Sequence, residues 1–220
     1  MTNGRTCCQC QGIERLFGVR EATGKLHAYQ QHGPAKTTRM LLDALRAESP
    51  TGIEGKSLLD IGGGIGAIQL ELLASGLGSA TDVDASAAYL TVARAEAQRR
   101  GYGDRVTFHH GNFVEVEQAI ESADIVTLDR VICCYHDMPL LVEQSVAKAQ
   151  RLYGLVYPRD DWWVRCFSTL ANTAFRLRRH PYRNFVHPSQ QVDAIVRRAG
   201  LEKRSSRQDI VWQVVVYARP

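Results

Sequence analysis

The stretch Leu58-Leu59-Asp60-Ile61-Gly62-Gly63-Gly64-Ile65-Gly66 reads as an apolar strand that ends at an acid and runs into four glycines within five positions. Glycine at that density frees the backbone for left-handed torsions and lets a ligand approach the main chain with no Cβ in the way. A helix is expected directly after it, from about Ala67 through Ala74, with its first free amides turned toward the same space and ready for an anionic group.

Strand, loop and helix start make the opening of an α/β unit, and the alternation continues. Strands are expected at Ser57–Ile61, Ser79–Val83, Val106–His109, Ile125–Leu128 and Gly154–Tyr157. Helical stretches fall between them at Ile68–Ala74, Ala87–Arg100, Val116–Ile120 and Met138–Leu152. Short strands separated by helices predict a doubly wound, Rossmann-like α/β fold with a mostly parallel sheet. The end of the chain breaks the pattern. Pro188-Ser189 opens a helix on Val192, Ile195, Val196 and Ala199, and Gly200 stops it. The runs Leu201–Ser205 and Ile210–Ala218 follow, too closely linked for a parallel crossover, so they predict a C-terminal antiparallel hairpin.

Ahead of the first strand, Ile13, Leu16 and Phe17 mark one helical stripe, and Met40, Leu41, Leu42 and Leu45 within Thr38–Ala47 mark another. Gly33-Pro34 separates the two helices. The expected organisation is a helical lid with a cysteine-containing tail over residues 1–50 and an α/β domain over residues 51–220, with a helical insert at about 160–187. In the insert, Trp163, Phe167, Leu170, Ala174 and Leu177 recur at helical spacing, with Trp162 and Phe175 at the margins. That apolar face either walls an acceptor pocket or packs onto the sheet.

At 220 residues, 45% hydrophobic and 23% charged, the chain suits one well-cored globular domain with appendages. No apolar run reaches bilayer length, and the first residues carry no apolar core of a secretory signal, so a soluble, cytoplasmic protein without a membrane span is expected. A net charge of +4 is mild, and its concentration around Arg176, Arg178, Arg179, Arg183, Arg197, Arg198, Lys203 and Arg204 is too diffuse to argue for nucleic acid. Six cysteines in such a chain read as reduced thiols. Nothing in the sequence fixes the oligomeric state.

The loop alone fits two ligand classes, because Gly62, Gly64 and Ala67 also satisfy the dinucleotide fingerprint and Asp84 lies about twenty residues on. Three features argue against a dinucleotide. Asp60 would repel a pyrophosphate but can hold an ammonium group; about fifty residues of helix precede the first strand; and the sheet closes with a hairpin.

With those features, residues from Lys56 to Arg219 resemble the class I S-adenosylmethionine-dependent methyltransferases. The resemblance implies that S-adenosyl-L-methionine is the cofactor and that Asp60, Gly62, Gly63, Gly64 and Gly66 cradle its methionine part. It implies that Asp84 accepts hydrogen bonds from both ribose hydroxyls, with Ala85 beside the adenine. Asp82 turns the same way along the strand, but only Asp84 lies past the sheet edge. Asn112 stands where the family usually has an acid that meets the adenine amino group, and its amide oxygen can still accept that bond. Phe113 would cover the ring, and Leu128 and Asp129 would pass beneath the methionine moiety. A more specific resemblance rests on Cys133-Cys134-Tyr135-His136-Asp137, on Gly154–Pro158 and on the insert before His187-Pro188; it is to small-molecule methyltransferases of the magnesium-protoporphyrin O-methyltransferase type.

The expected reaction is in-line methyl transfer to oxygen or nitrogen of a small molecule. His136, after the fourth strand, is the candidate general base, and Tyr29, Cys134 and Trp163 are candidate acceptor contacts. A packed loop histidine is the plainer account of His136. Asp137, before Met138-Pro139, reads as an N-cap, and Lys36 and Arg39 as the solvated side of a helix. Cys7, Cys8 and Cys10 with Cys133 and Cys134 could offer thiolates to zinc or a soft metalloid. Their spacing matches no zinc ribbon and no metal site is assigned. Thiolate-assisted methylation of a metalloid, a dinucleotide-dependent oxidoreductase and a non-catalytic relative of the fold stay open as alternatives.

Overall fold

Leu58, Leu59, Asp60 and Ile61 are all buried in β1 (Ser57–Ile61), as a central strand covered on both faces requires. The structure, a computed structural model, describes residues 8–49 and 52–220, with side chains from residue 12 onward. The other strands are β2 (Ser79–Asp84), β3 (Val106–His110), β4 (Ala123–Asp129), β5 (Ala149–Pro158), β6 (Glu202–Gln208) and β7 (Trp212–Ala218). They form one seven-stranded sheet in the order β3-β2-β1-β4-β5-β7-β6. β1 to β5 pair parallel, and β7 lies antiparallel between β5 and β6.

Among the described residues three helices precede the sheet: α1 (Cys8–Leu16), α2 (Val19–His32) and α3 (Lys36–Ala47). The others are α4 (Ala67–Ala74), α5 (Ala87–Arg99), α6 (Phe113–Val116), α7 (Met138–Ala147), α8 (Trp162–Leu177) and α9 (Ser189–Arg198). Alternation along the strands divides the core in two. Leu59, Leu128, Leu155 and Tyr217 pack with α7 and α9, through Leu141, Val146, Val192 and Val196. Leu58, Ile125, Val156 and Val216 pack with α3 and α4, through Leu41, Leu45, Leu70 and Leu73. Gly154, in mid-β5, makes room for α3: a Cβ there would stand 2.8 Å from Leu41 Cδ1. No helix among the described residues is long and apolar enough to cross a membrane.

The sequence reading needs four corrections. The N-terminal region holds three helices, because Gly18 interrupts the first pattern and caps α2 in extended conformation. The helix expected over Met138–Leu152 stops at Ala147, and Ala149–Leu152 belongs to β5. Ala149 and Leu152 pair with Ala123 and Ile125 of β4, and that ladder overrides the helix-compatible composition. The helix expected at Val116–Ile120 begins instead at Phe113, because Asn112 Oδ1 accepts from Val114 N, and residues Glu117–Ala119 form a single 3₁₀ turn. Finally, the apolar face of α8 neither walls a pocket nor packs on the sheet. Phe167 is 67% exposed, Leu170 70% and Leu177 81%, because the helix anchors through its other side, at Val164 and Ser168.

Candidate functional site

The loop between β1 and α4 turns through positive φ at Gly62 (67°) and Gly64 (60°). A Cβ at Gly62 would fall 2.5 Å from Val131 Cγ2, whereas at Gly64 the nearest atoms are ring carbons of Tyr89 at 3.9 Å. The first glycine is thus required by packing, and the backbone of the second is bare toward open space.

Three carboxylates lie beside the loop. Asp60 is 1% exposed; its Oδ1 accepts from Thr127 Oγ1 at 2.7 Å, and its Oδ2 has no hydrogen-bond partner. Burial pushes its pKa up to about 7, against the Thr127 hydrogen bond and with help from the charges of Asp129 and Asp84. Asp82 is fully buried and accepts from Gln69 Nε2 at 2.8 Å; burial and then Asp60 hold its carboxyl well above the usual range. Asp84, at the end of β2, accepts from Gly64 N at 2.9 Å and from Ser86 N at 2.7 Å, tying the glycine loop to the second strand. Burial raises its pKa and those two amides oppose the rise.

Across the sheet edge β4 ends at Asp129, whose Oδ2 accepts from Thr38 Oγ1 of α3 at 2.5 Å. The chain then passes Arg130 (φ 62°) into a 3₁₀ turn, Ile132–Cys134. A strap formed by residues 180–187 clamps this turn. Phe185 N donates to Cys133 O at 2.7 Å, and His187 Nε2 lies 3.0 Å from both Ile132 O and Tyr135 O. Burial lowers the His187 pKa, so the ring stays neutral and its Nε2–H is shared by the two carbonyls. Cys134 Sγ is 3.2 Å from the Tyr182 hydroxyl and 3.8 Å from Cys133 Sγ. Cys133 lowers the Cys134 pKa, against burial and with further help from Tyr182 and Lys25.

A cavity of about 780 Å³ joins loop, turn and strap. Its wall brings together eleven of the residues expected from sequence: Asp60, Gly62, Gly63, Gly64, Asp84, Ala85, Asn112, Phe113, Asp129, Tyr29 and Cys134. Tyr29 and Asn112 are engaged as well. Tyr29 donates its hydroxyl to Glu71 at 2.8 Å, leaving its ring to the cavity, and Asn112 Oδ1 caps α6 while its Nδ2 reaches Glu115 and the Tyr135 hydroxyl.

Four expected residues are not on the wall. Gly66 (φ 79°) serves as the N-cap of α4. Leu128 is fully buried, because alternation turns it into the core one residue before Asp129 clears the sheet. His136 is exposed and lies against the Tyr135 ring at 5.3 Å, since the 3₁₀ turn aims Cys134 and Tyr135 inward and the next residue outward. Trp163 sits on α8, away from the cavity. Conversely, Lys25, Thr38, Tyr182 and Asn184 line the wall and were not read as site residues. Thr38 was hidden in the polar part of an amphipathic helix, and Tyr182 and Asn184 lie in a stretch without periodicity.

Among the described residues no group of three or more His, Cys, Asp or Glu side chains could hold a metal. Cys7 and the side chains of Cys8 and Cys10 lie outside the described residues.

Residues 58–152 match the family described as methyltransferase domain. No curated protein matches the chain. Among solved structures, magnesium protoporphyrin IX methyltransferase from Synechocystis with bound S-adenosylhomocysteine superposes with a TM-score of 0.71 at 16% identity, covering 96% of this chain and 100% of that one. An O-methyltransferase family protein from Burkholderia thailandensis gives a TM-score of 0.65 at 18% identity, over 94% of this chain and 62% of that one. An O-methyltransferase family 2 protein from Planctomyces limnophilus, in complex with apigenin, gives 0.65 at 16% identity, over 100% and 64%. The match runs from β1 into β5 and favours a methyltransferase over the dinucleotide alternative that the glycine loop left open. By that domain match over residues 58–152 and by its fold, the chain is similar to the class I S-adenosylmethionine-dependent methyltransferases.

Proposed function

We propose that this protein transfers a methyl group from S-adenosylmethionine to oxygen or nitrogen of a small, largely apolar molecule held between the N-terminal helices and the strap of residues 180–187. The observation that carries the reading is Asp60, a residue of the cavity wall whose carboxylate is buried and whose Oδ2 has no partner, beside a loop whose backbone is bare at Gly64. An ammonium group satisfies that oxygen and offsets the burial that raises the Asp60 pKa, whereas a pyrophosphate would worsen both.

The residues present fit the methionine end of the cofactor at Asp60 and Gly64, and its ribose and adenine end at Asp84, Ala85 and Phe113. Bound cofactor supplies an electrophilic methyl group. The chain's part is to align an acceptor with it and to keep water out. Phe17, Tyr29 and Trp212 supply apolar surface on the wall, and its cations Lys25, Arg39 and Arg130 are matched in number by Asp60, Asp84 and Asp129.

Cys134 and Tyr135 of the turn, with Tyr182 and Asn184 of the strap, are polar residues on the cavity wall. They replace His136 as the groups to which an acceptor hydroxyl or amine would hydrogen-bond. Calorimetric titration with S-adenosylhomocysteine and with NAD(H) tests the reading: binding of the first and not the second is expected, and the reverse overturns it.

One observation favours a second reading, methylation of a soft metalloid. Cys134, with its lowered pKa, stands on the wall next to Cys133. Methyl transfer to arsenite that disappears in Cys134→Ser would establish it.

A further inference from the structure

Helix α8 leaves its most apolar arc uncovered. On a helical projection Trp162, Cys166, Leu177, Leu170, Ala174 and Phe167 fall within an arc of roughly 140°, which also holds the partly buried Trp163 and the exposed Thr173. Trp162 is 77% exposed, and Phe167, Leu170 and Leu177 stand out as far or nearly so. Scattered exposed apolar side chains are ordinary; an apolar stripe along a helix about 24 Å long is not.

The charge around the stripe is one-sided. Between Asp161 and Asp193 the chain has no carboxylate, while Arg165, Arg176, Arg178, Arg179 and Arg183 all lie there. The first four are exposed, and on the same projection Arg165 and Arg176 flank the stripe along one edge.

We infer that α8 is a docking surface for an anionic lipid bilayer: the helix lies in the interfacial plane with Trp162, Phe167, Leu170 and Leu177 among the acyl chains and its arginines on the headgroup phosphates. An apolar face, a tryptophan near its margin and cationic flanks without acids are what an interfacial helix requires. The same charges disfavour a second copy as the occupant, because a two-fold contact through this face would set the arginines of one chain against those of the other with no carboxylate between them. Nucleic acid would engage the arginines and leave Leu170 and Leu177 in water.

The helix is also tied to the site. Ser168 Oγ and Asn172 Nδ2 of its inner side donate to Asn184 O at 3.1 and 2.7 Å, and Asn184 lines the cavity. A protein held by α8 therefore presents one wall of its cavity close to the bilayer surface.

Co-sedimentation of the intact protein with vesicles tests this without reference to methyl transfer. Vesicles of phosphatidylcholine with about one third phosphatidylglycerol should bind at least about tenfold more strongly than phosphatidylcholine alone, and high salt should weaken the binding. Phe167→Glu and Leu170→Glu, at exposed positions that no fold contact needs, should each lower partitioning about tenfold or more while leaving the thermal midpoint unchanged. Equal binding by wild type and both variants, or no binding to the anionic vesicles, overturns the inference. So does a wild-type dimer in solution that either variant converts to monomer, because the stripe would then be a protein interface.

Discussion

Asp84 carries two tasks on one carboxylate, holding the amide of Gly64 and the amide of Ser86 while facing the cavity. Asp84→Ala is therefore expected to raise the Kd for S-adenosylhomocysteine by about 100-fold or more in calorimetry, losing the loop's anchor together with the proposed ribose contact. Asp60 gives a pH-dependent test. Its folded pKa of about 7 lies above the ordinary 3.8, so the folded chain holds that proton more tightly than the unfolded one. Its contribution to stability is full below the unfolded value and is lost as pH rises toward the folded one. Asp60→Asn should thus stabilise the cofactor-free protein at pH 8, by roughly 2–4 kcal/mol, with the gain shrinking toward pH 5, as read by denaturant unfolding. The same variant should bind S-adenosylhomocysteine more weakly at pH 8, since the ammonium partner is gone. The cofactor side was legible in the sequence because strand, acid and glycines are neighbours in the chain. Opposite it only Tyr29 and Cys134 were named from the sequence, because Lys25, Thr38, Tyr182 and Asn184 come from three separate segments and meet only in the fold.

Each α/β element was readable wherever its period was clean, and the misreadings fall where tertiary pairing decides. Residues 149–152 look helical in isolation and become strand because β4 on one side, and β7 from Leu152 onward on the other, offer hydrogen bonds. The stripe on α8 announced a buried face and proved exposed, since periodicity reports which residues share a side and not what covers it. The seat of α3 makes a test at this scale. Gly154→Val would thrust a branched side chain at Leu41 and Leu45 and should cost about 2–4 kcal/mol in chemical denaturation. Leu41→Ala in the same chain should recover part of that loss, giving a coupling of about 1 kcal/mol or more in a double-mutant cycle. Strictly additive losses would show that the two positions do not share the contact.

In the molecule as a whole, the two halves of the site hang on different supports. The cofactor half is built into the sheet edge by β1, β2 and β4, while the turn on the acceptor half is clamped by the strap through His187 and Phe185. His187→Ala should accordingly raise the KM for an acceptor about tenfold or more while changing the S-adenosylhomocysteine Kd less than about threefold, a split that general destabilisation would not give. The order of the sheet has a consequence in time. β7 comes last among the described strands, yet it sits between β5 and β6 and supplies β5 with its second partner. A growing polypeptide can assemble β1 to β5 as they emerge from the ribosome, but the outer edge of β5, with Tyr153, Leu155 and Tyr157, stays open until residue 218 is clear of the exit tunnel. Until then the nascent chain presents a long, apolar, unpaired strand to its neighbours, which makes the interval before β7 emerges the one when a chaperone matters most to this fold.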